Sequence, residues 1–265
     1  MFRTLSTPVL LALLLPAPAH AHEQLTARLD QLGHAIEADP ADVDALLQRA
    51  AELRDVEQFS DAARDLDRVT ALAPDHPVLA LERALLALAT GDDARPWLDA
   101  HCSSPDARAA GFDARAALHE ADGRRLAARS DREEAWLRAP TPDRALALAR
   151  IHDALGDPAC GAATLAEADT ILSGAVILRL ERVRLLQRAG LLPDALVLAT
   201  ELVNARGTSD RLLLRASVHD AMAQPDLARA DRRAALAAAD ARLARRPSEM
   251  ARAAHARAVS ALGEP

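Results

Sequence analysis

Residues 45–74 read ALLQRAAELRDVEQFSDAARDLDRVTALAP, two apolar stretches of helical spacing parted by a polar break and closed by a proline. In the first stretch Leu46, Ala50 and Leu53 share one helical face, and in the second Ala62 and Leu66 do the same. The segment therefore predicts two short helices, the second ending before Pro74, where a missing N–H and a fixed φ stop helix propagation. Each helix has a small residue, Ala50 or Ala62, in the middle of its apolar face, the pattern needed for two helices to cross closely.

Working outward, the pattern recurs. Pro40, Pro74, Pro105 and Pro140 are separated by 34, 31 and 35 residues, and Gly91, Gly123, Gly156 and Gly190 by 32, 33 and 34. Each of these glycines follows an Ala/Leu-rich run, where a helix C-terminus prefers glycine. Prolines and glycines alternate, so each unit holds two helices, one ending at a glycine and the other at a proline. A third series, Ala50, Ala84, Ala116, Ala149, Val183 and Ala216, keeps spacings of 34, 32, 33, 34 and 33, with Ala62, Ala128, Ala195 and Ala228 matching it on the second helix. Two short helices at this period cannot bury their apolar faces alone, so neighbouring hairpins are expected to stack.

These residues resemble the tetratricopeptide repeat family. Leu46, Ala50, Leu53, Ala62, Leu66 and Pro74 fall where that family has its large, small, aromatic, small, large and proline positions. Two further strings match well, FDARAALHEADGRRLAARSDREEAWLRAP at 112–140 and LERVRLLQRAGLLPDALVLATELV at 180–203. The resemblance covers about residues 23–240, as six units beginning near 43, 77, 109, 142, 176 and 209 after a half-unit. It departs from the family in having Leu, Ala or His at most aromatic positions, and a shortened second helix around Pro96 to Cys102. The resemblance implies an all-α fold, an α-solenoid of stacked antiparallel helix hairpins wound as a right-handed superhelix. The expected organisation is a signal peptide at 1–21, a half-repeat helix at 22–42, about six repeat units over 43–240 and a capping helix over 241–265.

Composition agrees with helices. Of 265 residues 50% are hydrophobic and only 2% aromatic, with no tyrosine, so the apolar content rests on alanine and leucine, strong helix formers. Every basic residue is arginine and Asn204 is the only asparagine. The N-terminus has the parts of a secretory signal: Arg3, an apolar run from Val9 to Leu15, and small residues at Ala17, Ala19 and Ala21. Export to the periplasm or beyond is expected. Loss of the segment removes Arg3 and takes the formal charge from −7 to −8. An acidic surface repels nucleic acid and anionic lipid, and no stretch approaches the roughly 20 apolar residues of a membrane span, so neither is expected as a partner. Cleavage after Ala19 or Ala21 would leave His20 or His22 first, and a terminal amine beside an imidazole can chelate copper.

Chemistry-bearing residues recur with the repeat. His119, His152 and His219 hold one position in three units, where the family packs an aromatic, so each is expected to be a half-buried spacer. Arg49, Arg83, Arg115, Arg182 and Arg215 each precede the small residue of the first helix, with Leu148 breaking the series. They are expected to form ion pairs, or stems that bridge consecutive units. No nucleophile–base pair, phosphate loop or metal-ligand spacing occurs, so no catalytic residue, cofactor or metal is assigned. Cys102 and Cys160 fall in the second and fourth units, too far apart in a stack for a disulfide.

The resemblance also implies a function, the binding of another protein or peptide in a concave groove, as a scaffold or chaperone-like adaptor of the bacterial envelope. Leu47, Leu81, Leu146, Leu180 and Leu213 stand three residues before the small position in five units, where the family tends to face the groove; Asp113 breaks the series. They are expected to form an apolar stripe flanked by Arg54, Arg150, Arg184, Asp153 and Asp220, unless the register is off by one and they are core. The family's grip on a C-terminal carboxylate uses lysine and asparagine, which this chain lacks at those places. The alternative is an envelope metal-handling protein or enzyme supported by the repeats.

Overall fold

In the computed structural model, which describes residues 19–263, the periodic Ala/Leu stretches form fourteen helices, with no strand among the described residues. The expected signal segment lies outside the described residues up to residue 18. The chain divides into two compact units, residues 1–104 and 105–265. The N-terminal unit contains α1 (Ala19–Ala38), then the hairpins α2 (Val43–Asp55)/α3 (Phe59–Leu72) and α4 (Leu79–Thr90)/α5 (Arg95–Cys102). The C-terminal unit contains α6 (Ala109–Ala121)/α7 (Arg125–Arg138), α8 (Pro142–Ala154)/α9 (Pro158–Ile171), α10 (Val176–Arg188)/α11 (Leu192–Ala205) and α12 (Ser209–Ala221)/α13 (Pro225–Arg245). It closes with α14 (Glu249–Leu262).

Within each unit every helix packs on the next, and first helices of neighbouring hairpins also touch: α2 with α4, α8 with α10, and α10 with α12. This is an α-solenoid, and its cause is visible in the small residues. Ala50, Ala84, Ala116, Ala149, Val183 and Ala216 are all buried, as are Ala62, Ala128, Ala195 and Ala228 on the second helices. The fourth hairpin goes further. Gly161 takes the second-helix place, and a Cβ there would sit 2.7 Å from the Ala149 carbonyl oxygen, so only glycine fits that crossing.

The turn inside each hairpin is the same in all six. The N–H after it donates to the carbonyl five residues back: Gln58 to Leu53, Asp92 to Ala87, Arg124 to His119, Asp157 to His152, Leu191 to Leu186 and Gln224 to His219. That bond requires a left-handed residue just past the helix. Gly91, Gly123, Gly156 and Gly190 supply it in four hairpins, while Glu57 (φ 62°) and Ala223 (φ 56°) adopt it in the first and sixth. A side chain in this region costs about 1–2 kcal/mol. We therefore expect Ala223→Gly to stabilise the chain by about 0.5–1 kcal/mol, the entropy of glycine in the unfolded chain offsetting part of the gain. Urea denaturation checks this, and a destabilised Ala223→Gly would show that the turn is not held as described.

The C-terminal end is built differently. α13 is 21 residues long, and α14 packs on both α13 and α12, with Ser248 Oγ accepting the Ala251 N–H at its N-terminus. Ala251, Ala254 and Ala258 form its buried face.

Candidate functional site

The leucine series divides. Leu47, Leu81 and Leu146 are buried, Leu47 and Leu146 within the core clusters of their units. Leu47 and Leu146 sit on first helices that touch the next first helix of their unit, α2 against α4 and α8 against α10. These three are therefore core and not a water-facing stripe. Leu180 and Leu213 are half-buried, and Ile177, one turn before Leu180 on α10, is 50% exposed. On the first helices of the C-terminal unit the exposed large apolar side chains are Val176 and Ile177 of α10, with Leu180 and Leu213 half-buried on α10 and α12.

The charged flank is mostly tied down. Asp153 accepts from Arg188 Nε at 2.9 Å, joining α8 to α10, and Arg184 donates to Glu181 at 2.8 Å. Asp220 pairs with Arg232 across the sixth hairpin, while Arg150 is exposed on α8. In the N-terminal unit Arg54 donates to Glu82 at 2.6 Å, joining α2 to α4. Asp113, which interrupts the leucine series, accepts from Arg132 Nη1 at 3.1 Å and Arg144 Nε at 2.7 Å, so it ties α6 to α7 and to α8.

The arginine series forms ion pairs of one design. Arg115 donates through Nε and Nη2 to Asp131 at 3.0 and 2.7 Å, Arg49 to Asp65 at 2.7 and 2.7 Å, and Arg215 to Asp231 at 2.8 and 2.6 Å. The three aspartates are buried in their second helices. These three arginines thus form the expected ion pairs, each fork joining the two helices of one hairpin and not consecutive units. Arg83 bridges consecutive hairpins instead, donating back to Asp67 and Thr70 of α3 while lying over the Trp97 ring. The hydrogen bond to its aspartate raises Arg49 above the usual guanidinium value, and Arg215 likewise.

Two of the histidines join these pairs. His119 Nε2 lies 3.6 Å from Asp131 and His219 Nε2 lies 3.8 Å from Asp231. With Arg132–Glu120 and Arg232–Asp220 alongside, the third and sixth hairpins repeat one five-residue network, each member 100 positions after its counterpart. His152 differs. Leu148 and Thr164 stand where the arginine and aspartate would be, and its Nε2 instead meets the Cys160 sulfur at 3.7 Å. Burial lowers His152 below the ordinary imidazole value and raises the Cys160 thiol. Both cysteines are outside any disulfide.

Sequence reasoning missed Asp65, Asp131 and Asp231. Their signal was present, an aspartate sixteen residues after the arginine in three units, and becomes visible once second helices are aligned by the first. Among the described residues no three His, Cys, Asp or Glu side chains could share a metal ion, and no helix is long and apolar enough to cross a membrane.

No protein-family model matches the chain, and no curated protein matches it in sequence. Solved structures do. The C-terminal part of a TPR repeat-containing protein from Cytophaga hutchinsonii aligns with a TM-score of 0.62 at 14% identity, over 88% of this chain and 95% of that one. The pilF protein of Pseudomonas aeruginosa aligns with a TM-score of 0.52 at 15% identity, over 80% of this chain and 95% of that one. With the hairpins, crossings and turns above, the chain has the tetratricopeptide-repeat fold.

Proposed function

We propose that this chain is a binding scaffold of the bacterial envelope that takes a peptide or helix of another protein on the first helices of its C-terminal unit. The observation that carries the reading is the apolar surface left on α10 and α12, where Ile177, Leu180 and Leu213 keep contact with water although buried neighbours surround them. Arg150 and Arg184 are exposed on α8 and α10, and Asp153 and Asp220, each paired with an arginine, add further polar groups on α8 and α12. Apolar anchors with a polar border suit an amphipathic helix or an extended segment. The reading needs no catalytic group, and the ion pairs of the hairpins then serve to hold the face rigid.

The test is a pair of substitutions read two ways. Residues 22–265, as wild type and as Ile177→Glu/Leu213→Glu, are used as bait for envelope proteins, with a photo-crosslinking residue at position 184 to mark direct contact. At half-exposed sites the double variant is expected to cost less than about 1 kcal/mol. Capture and cross-linking are expected to fall at least tenfold while the melting temperature barely moves. Unchanged capture by a folded double variant would remove this face as the binding surface.

A further inference from the structure

In the fourth hairpin the place that elsewhere holds Arg, His and Asp is rebuilt without charge. Leu148 replaces the arginine and Thr164 the aspartate, which leaves His152, 8% exposed, with its Nε2 directed at the Cys160 thiol. One residue sets both partners. Asp157 donates its N–H to the His152 carbonyl at 3.0 Å, and its carboxylate Oδ1 accepts the Cys160 N–H at 2.9 Å, capping α9. The end of α8, which carries the imidazole, and the start of α9, which carries the thiol, are therefore fastened to the same turn.

We propose that Cys160 and His152 form a two-coordinate site for a soft monovalent metal ion of the Cu(I) or Ag(I) class. Thiolate with imidazole is the ligand set that such ions prefer. Charge selects the valence. A thiolate and a monovalent cation sum to zero, so the complex adds no net charge beside the buried imidazole, whereas a divalent ion would leave a positive charge against it. Coordination number points the same way, because no third His, Cys, Asp or Glu among the described residues completes a group that could hold a metal. With metal–ligand bonds of about 2.0–2.3 Å, as for zinc, a straight sulfur–metal–nitrogen line spans about 4.3 Å. The observed 3.7 Å reaches that by a small turn of the Cys160 side chain, which is only partly buried. Of the charged groups nearby, Glu133 and Asp157 favour a cation and Arg129 opposes it.

Binding is a proton exchange without redox change. The Cys160 S–H bond breaks, its proton leaves to solvent, the sulfur bonds the metal, and His152 Nε2 donates its lone pair. His119 and His219 lie instead against aspartates paired with arginine, so no such site is expected at the equivalent places of the third and sixth hairpins.

Silver(I) alone is the probe, added to the reduced full-length chain in competition with a chromophoric chelator. One equivalent is expected to bind and to protect Cys160, but not Cys102, from alkylation, as read by peptide mass spectrometry. Cys160→Ser is expected to abolish that binding, Cys102→Ser to leave it unchanged, and His152→Asn to weaken it by at least about tenfold, the loss typical of even an outer-shell partner. Because His152→Asn could disturb the hairpin, the alkylation pattern of the unaltered chain is the primary readout. Equal protection of Cys102 and Cys160, or silver affinity in a folded His152→Asn variant equal to that of the unaltered chain, would mean an ordinary thiol and overturn the site.

Discussion

Arg115→Leu is expected to destabilise the chain by about 3–5 kcal/mol, because it leaves the Asp131 carboxylate, 4% exposed, without the guanidinium that neutralises it. The cost belongs to the stranded charge and not to the pair itself, so removing both partners should recover most of it. The chain supplies its own control: the fourth hairpin folds with Leu148 and Thr164 at the equivalent places. We expect Arg115→Leu/Asp131→Thr to lie within about 1–2 kcal/mol of the unaltered chain, giving a large favourable coupling in a double-mutant cycle. Urea denaturation of the four proteins measures it. A single variant costing under about 1 kcal/mol would mean that Asp131 is reached by water and that these pairs behave as surface ion pairs.

Leu146→Glu is the second large effect. Leu146 is 7% exposed and belongs to the core cluster with Leu148, Ile151, Leu178 and Leu185. An unpaired carboxylate there is expected to cost several kcal/mol, about 3–5, and to lower the melting temperature by roughly 10 °C or more. Leu213→Glu, at the same repeat position two hairpins on, is half-exposed and should cost less than about 1 kcal/mol. Equal melting temperatures for the two variants would show that the leucine series is uniform and that the division into core and surface is wrong.

That contrast shows where reading the sequence stops. Leu146 and Leu213 are one residue type at one place in the repeat, and nothing local distinguishes them; the difference is how closely the neighbouring first helix covers each. The arginine pairs show the same limit from the other side. Arg49, Arg115 and Arg215 were legible as a series, but their partners sit sixteen residues on in the second helix, and only the crossing of the two helices shows that the fork closes within a hairpin.

The sequence by itself determined the fold class, because periodicity is a local property. Apolar spacing sets the helices, glycine or proline ends them, and a small residue once per helix dictates a close crossing. Even the exceptions at Glu57 and Ala223 obey the turn, since the bond from the following N–H imposes the left-handed residue whatever its side chain. Tertiary structure alone decided which of the equivalent positions are buried, which charges are neutralised and which histidine meets a thiol. Those depend on side chains brought together from different helices, and burial and charge pairing act through distance in space, which the period of a repeat does not specify.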